Sequence, residues 1–310
     1  MSDSLAAADA ADAQAAARRL DAVAVAAVLR RLARSPGGPW LHGEIARRMA
    51  QRLALIRLQP RCVVDWWAEL GQGGELLAQA YPKAHFVRVE PGPAWLAAAQ
   101  SAAHQPWWSP GRWLGPTVRV VDEADTIVEP AQLVWANMML HGVVDPPRLL
   151  ARWQQLLGAD GFVMFSCLGP GTLRELRALY AALGWPSPTP GFVDMHDLGD
   201  MLLRAGFADP VMDQETITLR WNTAEELLAE LRSLGGNAAP ERVAGLRTPR
   251  WRQRLLRELE ALRGADGRLG LSFEVAYGHA FKAAPRFAPG GETTVSLQDM
   301  KAMLGAPGRR

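Results

Sequence analysis

The chain has 310 residues and a formal net charge of +2, from 34 Lys and Arg against 32 Asp and Glu. That balance, with no long basic run, excludes nucleic acid as a main partner, and no apolar run approaches membrane-spanning length. With 49% hydrophobic and 21% charged residues the composition is globular, enough for one large core with an appendage.

Residues 1–18 are Ala-rich with scattered acids and read as a loose helix or as disorder. Asp3, Asp9 and Asp12 stand where a signal peptide would need a basic start, so a cytoplasmic location is expected. Asp21 to Arg34 is helical, and Ser35-Pro-Gly-Gly-Pro39 breaks it. Leu41, Ile45, Met49 and Leu53 recur every four residues, which predicts an amphipathic helix from Trp40 to Leu58. Pro60 precedes the first predicted strand, Cys62-Val63-Val64.

Arg61 to Glu90 then reads as strand, loop, helix, strand, with an acid closing each strand: Asp65 and Glu90. Such a unit presents a crevice at the carboxyl ends of its strands. A carboxylate at Glu90 suits a ribose diol, because it accepts both hydroxyl protons, whereas Asp65 is placed to order the loop. The loop itself departs from pattern. The dinucleotide fingerprint is absent. At every second position from Asp65, where Rossmann-like S-adenosylmethionine enzymes carry glycines, stand Trp67, Glu69 and Gly71. Only Gly71 lets backbone approach a ligand without a Cβ.

Pro93 to Ala103 is a further helix. Pro106-Trp-Trp-Ser-Pro-Gly-Arg-Trp113 is either an aromatic wall for an adenine ring or a packed loop over the sheet edge. Strands follow at Thr117 to Val121, closing on Asp122-Glu123, and at Leu133 to Ala136, closing on Asn137. Pro146 to Leu157 is a helix, Gly158-Ala-Asp-Gly161 a turn, and Phe162 to Cys167 a fifth strand. Cys62 and Cys167 both fall in strands and read as buried reduced thiols. Helices are expected from Thr172 to Ala182 and from Asp194, which can cap, to Gly206, which ends it. A sixth strand at Val211 to Leu219 is separated by two helices, Ala224 to Leu234 and Arg250 to Arg263, from the last strand, Leu271 to Phe281. The tail after Pro285 reads as mobile. Strands alternating with helices predict an α/β fold with a mainly parallel sheet covered on both faces.

Phe165-Ser-Cys-Leu-Gly-Pro-Gly-Thr-Leu-Arg-Glu-Leu-Arg177 resembles the malonyl-acyl-carrier-protein O-methyltransferases of biotin synthesis. So do Phe192-Val-Asp-Met-His-Asp-Leu-Gly-Asp200 with Ala205-Gly-Phe207, Leu231-Arg-Ser-Leu-Gly235 with Asn237-Ala238, and Gly267-Arg-Leu-Gly-Leu-Ser-Phe273 with Gly278. Four motifs in order, over a resemblance from about Leu41 to Phe281, are specific. The resemblance implies a Rossmann-like seven-stranded methyltransferase sheet. Its last strand would be antiparallel between the fifth and sixth, and a helical lid would precede that strand. The chain then divides into an N-terminal helical segment (1–58), a core (59–220), the lid insertion (221–267), the last core strand (268–283) and the tail (284–310). This sequence departs from the family at Trp67 and Glu69, at Gly142 where an aromatic is usual, near Trp40 where many members have a tyrosine, and in the short 122–133 segment.

The implied reaction moves a methyl group from S-adenosylmethionine to the free carboxylate of a malonyl group on acyl carrier protein. A carboxylate is already ionised near neutral pH, so no general base is needed. Asp65, Gly71, Glu90, Asp122 and Asn137 are the expected cofactor residues. A malonyl carboxylate calls for a guanidinium. Arg232 is the leading candidate, ahead of Arg174 and Arg177, with a solvated helix face as the plain reading of each. His141 should face the crevice, for packing or positioning. His196 reads as a helix N-terminal surface residue, and no metal-ligand spacing appears. Two alternatives remain: a methyltransferase-like protein that has lost its cofactor and binds carrier protein, favoured by the degraded loop, and a nicotinamide oxidoreductase, disfavoured by the failed glycine pattern.

Overall fold

A computed structural model describes residues 19–35, 37–103 and 117–283. The expectations for residues 1–18, for the tryptophan-rich segment 106–113 and for the tail lie outside these.

Seven strands form one sheet: β1 (Cys62–Trp66), β2 (His85–Glu90), β3 (Val118–Asp122), β4 (Ala131–Ala136), β5 (Leu157–Leu168), β6 (Phe207–Trp221) and β7 (Leu269–Lys282). Their order is β3-β2-β1-β4-β5-β7-β6. The first five pair in parallel. β7 lies antiparallel between β5 and β6, the arrangement the resemblance implied.

Alternation within buried strands supplies both faces of the sheet. Val64 and Trp66 point to one core with α1 (Ala22–Leu32), α5 (Pro93–Ala103), α6 (Pro146–Leu156) and α8 (Met195–Arg204). Val63 points to the other, with α2 (Trp40–Leu53), α4 (Gly74–Ala80), α7 (Arg174–Ala182) and the pair α9 (Ala224–Ser233) and α10 (Pro249–Glu260). A one-turn helix, α3 (Ala68–Gly71), occupies what the sequence suggests is open loop. Helix α2 stops at Leu53 rather than Leu58, since Leu55 beyond it is 84% exposed and has no core to cover. The Gly158–Gly161 turn is instead a bulge within β5. It takes up the register shift against β4, with Asp160 at φ 59°. Strand β6 starts four residues early, and a register shift between Ala208 and Val211 accommodates Pro210 on this edge strand. Both cysteines are buried and unpaired.

The motif residues have packing reasons. The Glu274 side chain lies over Gly169 and Gly171, where any Cβ would collide with it. Glu175 accepts from both Ser272 N at 3.0 Å and Ser272 Oγ at 2.6 Å, joining α7 to β7. Thr223 and Glu226 cap α9 reciprocally. After α9, Asn237 Nδ2 donates to Ser187 O at 2.8 Å, Ala238 O accepts from Asp21 N at 2.8 Å, and Arg242 pairs with Asp21 at 2.7 Å. The helical insertion between β6 and β7 is thereby fastened to the start of α1.

Gly278 on β7 sits under the Phe165 ring, and a Cβ there would overlap that ring and lie 2.9 Å from Met212 Sδ. Gly278→Ala is therefore expected to lower stability by about 1–3 kcal/mol through overpacking, read as a lower urea midpoint at unchanged slope. An unchanged midpoint would show that the β5–β7 contact relaxes freely.

Candidate functional site

The carboxyl ends of β1, β2, β4 and β5 open on a cavity of about 380 Å³ and on a wider cleft of about 1400 Å³ beside it. The cavity is walled by α1, α3, the turn after β4, α7 and α9, with Leu70, Met138, Leu168, Phe192 and Leu231 on its surface. The cleft is lined by Pro91, Gly92, Asp122 and Glu123. Trp67, Gly142, Val25 and Leu29 belong to both walls, so Trp67 stands between the two spaces.

The predicted cofactor residues are mostly turned inward. Asp65 is 1% exposed, and neither of its oxygens has a hydrogen-bond partner among the described residues. Burial pushes it up to about 7, against a lesser pull from Arg88. Glu90 is fully buried, with Oε1 accepting from Glu69 N at 3.2 Å and Oε2 unpartnered. Burial pushes it up to about 8. Asn137 is fully buried too. Its Nδ2 donates to His42 O at 2.7 Å and Gly71 O at 2.6 Å, and its Oδ1 accepts from Ser166 Oγ at 2.7 Å. The asparagine thus clamps α2 to the loop after β1. Gly71 lies against it, where a Cβ would be 3.3 Å from Asn137 O. Asp122 alone of the five lines open space, on the cleft, and its Oδ1 accepts from Ala124 N at 2.8 Å.

His141 lies on the cavity wall as expected. Its Nδ1 accepts from Leu168 N at 3.3 Å, which leaves the proton on Nε2. His42 lies there also, on α2, and sequence reasoning did not single it out. Its Nδ1 donates to Leu70 O at 2.9 Å, so its Nε2 is the lone-pair nitrogen. Burial pushes His42 down to about 4, and burial with the neighbouring His42 pushes His141 down to about 3. Both imidazoles are neutral at physiological pH.

Among the described residues Arg232 is the one charged side chain on the cavity wall. It is exposed at the rim, beside Arg31, which donates to Gly235 O. Arg174 is exposed and pairs with Glu175 at 3.2 Å. Arg177 donates to Pro170 O. Neither reaches the cavity. Far from this site, at the amino ends of β1 and β2, ligand atoms of Cys62, His85 and Glu129 lie within 4.8 Å of one another. Burial pushes the Cys62 thiol up to about 11, which keeps it protonated.

A parallel sheet with an antiparallel β7 between β5 and β6, opening at its carboxyl ends on a split crevice, defines a Rossmann-like methyltransferase fold. The YcgJ protein from Bacillus subtilis shares the fold, with a TM-score of 0.51 at 12% identity, over 78% of this chain and 100% of that one. No family model matches the chain. It is 36% identical over 250 residues to the malonyl-[acyl-carrier protein] O-methyltransferase of Gallionella capsiferriformans, covering 79% of this chain and 85% of the relative. It is 36% identical over 251 residues to that of Laribacter hongkongensis, covering 79% and 84%. It is 37% identical over 246 residues to that of Halorhodospira halophila, covering 78% and 81%. The chain belongs to the malonyl-[acyl-carrier protein] O-methyltransferase family.

S-adenosylmethionine is the cofactor of this family, and the wide cleft past Pro91, Gly92 and Asp122 is the space open to it. Glu90, the acid suited to a ribose, is sealed from both spaces, and Trp67 fills the way between them.

The buried acids have a consequence for pH. Glu90 rises from 4.5 to about 8 in the folded chain, and Asp65 from 3.8 to about 7. The folded state then binds more protons than the unfolded one between these values, so stability falls as pH rises through that window. Glu90→Gln, which cannot ionise, should flatten the decline. The variant is expected to gain on the parent by more than about 1 kcal/mol between pH 5 and pH 8, measured by urea unfolding. Parallel curves for the two proteins would remove Glu90 as the cause.

Proposed function

We propose that this chain methylates the free carboxylate of a malonyl group on acyl carrier protein, with S-adenosylmethionine as methyl donor, in biotin synthesis. The observation that carries this reading is the kinship itself: more than a third identity over nearly four-fifths of the chain to relatives bearing that name. Kinship of that extent favours the enzyme over the carrier-protein binder.

The cavity suits the acyl end of such a substrate. Its walls are mainly apolar, which favours a reaction that needs a bare carboxylate in line with an electrophile. Burial makes both histidines weak bases, and no base is required for a group already ionised. Arg232 at the rim is assigned to the malonyl carboxylate. His141, with its proton on Nε2, is assigned to positioning. The α9–α10 insertion acts as a lid, held to α1 through Asn237, Ala238 and Arg242. Asp65, Gly71 and Asn137 act on the cofactor side by shaping the loop, while Asp122 borders the cleft. No helix among the described residues is long and apolar enough to cross a membrane, and a cytoplasmic location belongs to the same reading.

Incubation with malonyl-carrier protein and methyl-labelled S-adenosylmethionine is expected to give a methyl ester, detected by mass. Its absence with a carrier protein that a known relative methylates would overturn the reading. Arg232→Ala should lower kcat/KM for malonyl-carrier protein about ten- to a hundredfold. That is the worth of one hydrogen bond to a charged group, about 1.5–3 kcal/mol, at a solvent-exposed rim. Arg232→Lys should restore only part, because a point charge does not reproduce the guanidinium fork. Undiminished turnover in Arg232→Ala would assign the carboxylate to another residue.

A further inference from the structure

Trp67 crosses the crevice from one side to the other. Its Nε1 donates to Glu123 Oε2 at 3.0 Å in the loop after β3. Its six-membered ring comes within 3.7 Å of the position a Cβ on Gly142 would take, in the turn after β4. Its backbone N–H donates to Val89 O at 2.7 Å, so the residue is pinned against β2. The indole is 5% exposed, and its backbone is left-handed at φ 55°. Behind it lie Asp65 and Glu90, which face neither the cavity nor the cleft.

Core packing accounts for the buried ring, which joins the cluster of Trp66, Leu70 and Val89, but not for its polar edge on Glu123. Glu123, the partner of the indole, borders the open cleft, so water can replace the indole there without leaving a buried carboxylate orphaned. Trp66 holds the other oxygen of Glu123 at 3.1 Å and keeps the carboxylate in place when Trp67 is gone. Positive φ at a bulky residue is a strained state, and such strain gathers at sites that switch.

We propose that Trp67 and Glu123 form a latch across the cofactor path, and that an S-adenosyl nucleoside binds this chain only after the indole leaves Glu123. The proposal rests on the methyltransferase reading for the identity of the ligand. It makes cofactor affinity the net of nucleoside binding and latch opening, so removing the latch strengthens binding.

The test is calorimetric titration of the full chain with S-adenosylmethionine and S-adenosylhomocysteine, in the parent, Trp67→Gly and Glu123→Gln. Glycine accepts the left-handed backbone without strain, and Glu123→Gln leaves the indole in the core if the first variant folds poorly. Trp67→Gly is expected to bind at least tenfold more tightly than the parent, a change of about 1.4 kcal/mol, with Glu123→Gln between them. With 5-fluorotryptophan incorporated, the fluorine signal missing in Trp67→Gly identifies Trp67. In the parent that signal should shift at saturating ligand. Binding no tighter in either variant, or a Trp67 signal unmoved at saturation, would overturn the latch. Transfer of labelled methyl to malonyl-carrier protein separates the two readings. A parent that methylates, with variants binding no tighter, sinks the latch and leaves the reaction. A parent that neither binds nor methylates, beside a Trp67→Gly that binds, keeps the latch as a standing plug and sinks the reaction. Failure of every protein to bind sinks both.

Discussion

One carboxylate, that of Glu123, is held by two consecutive indoles, and the shape of the crevice follows from it. Consecutive residues of a strand point to opposite faces, so Trp66 and Trp67 should diverge. They converge because Trp67 leaves β1 in the left-handed region, at φ 55° and ψ 52°, which turns its side chain back across the strand ends. That single backbone change replaces an open glycine loop by a helical turn, α3. It also brings Glu69 N onto Glu90 and closes both strand-end acids off from solvent. The raised proton affinities of Asp65 and Glu90 are the electrostatic trace of that closure.

Strain is not spread evenly over the chain. Of the six described non-glycine residues at positive φ, Trp67, Met138 and Leu173 line the cavity, and Gln72 caps α3 beside them. Each costs of order 1–3 kcal/mol and persists only where the surroundings over-determine it. Here Asn137 does much of that work. It bonds the carbonyls of Gly71 and His42 and the hydroxyl of Ser166, which in turn accepts from Met138 N at 3.0 Å. A residue read from the sequence as a cofactor contact is, in the fold, the knot that ties α2, the loop after β1 and β5 together.

The sequence showed the order of elements, the acids at the ends of β1 and β2, and the cap at Asp194, because each is written in local residue types. It did not show what depends on contacts across the chain. The bulge at 158–161 arises from pairing against β4, which a local turn signal cannot reveal. Gly169 and Gly171 are legible as a motif. Their reason, the Glu274 side chain packed over them, lies a hundred residues on. The inward turn of Glu90 rests on the backbone of Trp67. The functional promise of His42 rests on which cavity its helix happens to wall.

The two halves of the site are therefore in different states. On the proposed reading the acyl half is the cavity, with neutral imidazoles on its wall and a guanidinium at its rim. The nucleoside half is the cleft beside it, which Trp67 separates from the buried Glu90. A buried tryptophan keeps about 150–250 Å² from water, worth about 4–6 kcal/mol at 25 cal/mol per Å². An adenine and ribose entering the same space would cover much of the same apolar surface, so most of that burial would be exchanged rather than lost. What remains against the cofactor is one indole–carboxylate hydrogen bond. Where the backbone of Trp67 moves with its indole, release of the left-handed strain, of comparable size, stands in its favour. Opposing terms this close put the open and closed crevice within reach of each other, so small changes at Glu123 or Gly142 decide which the chain adopts.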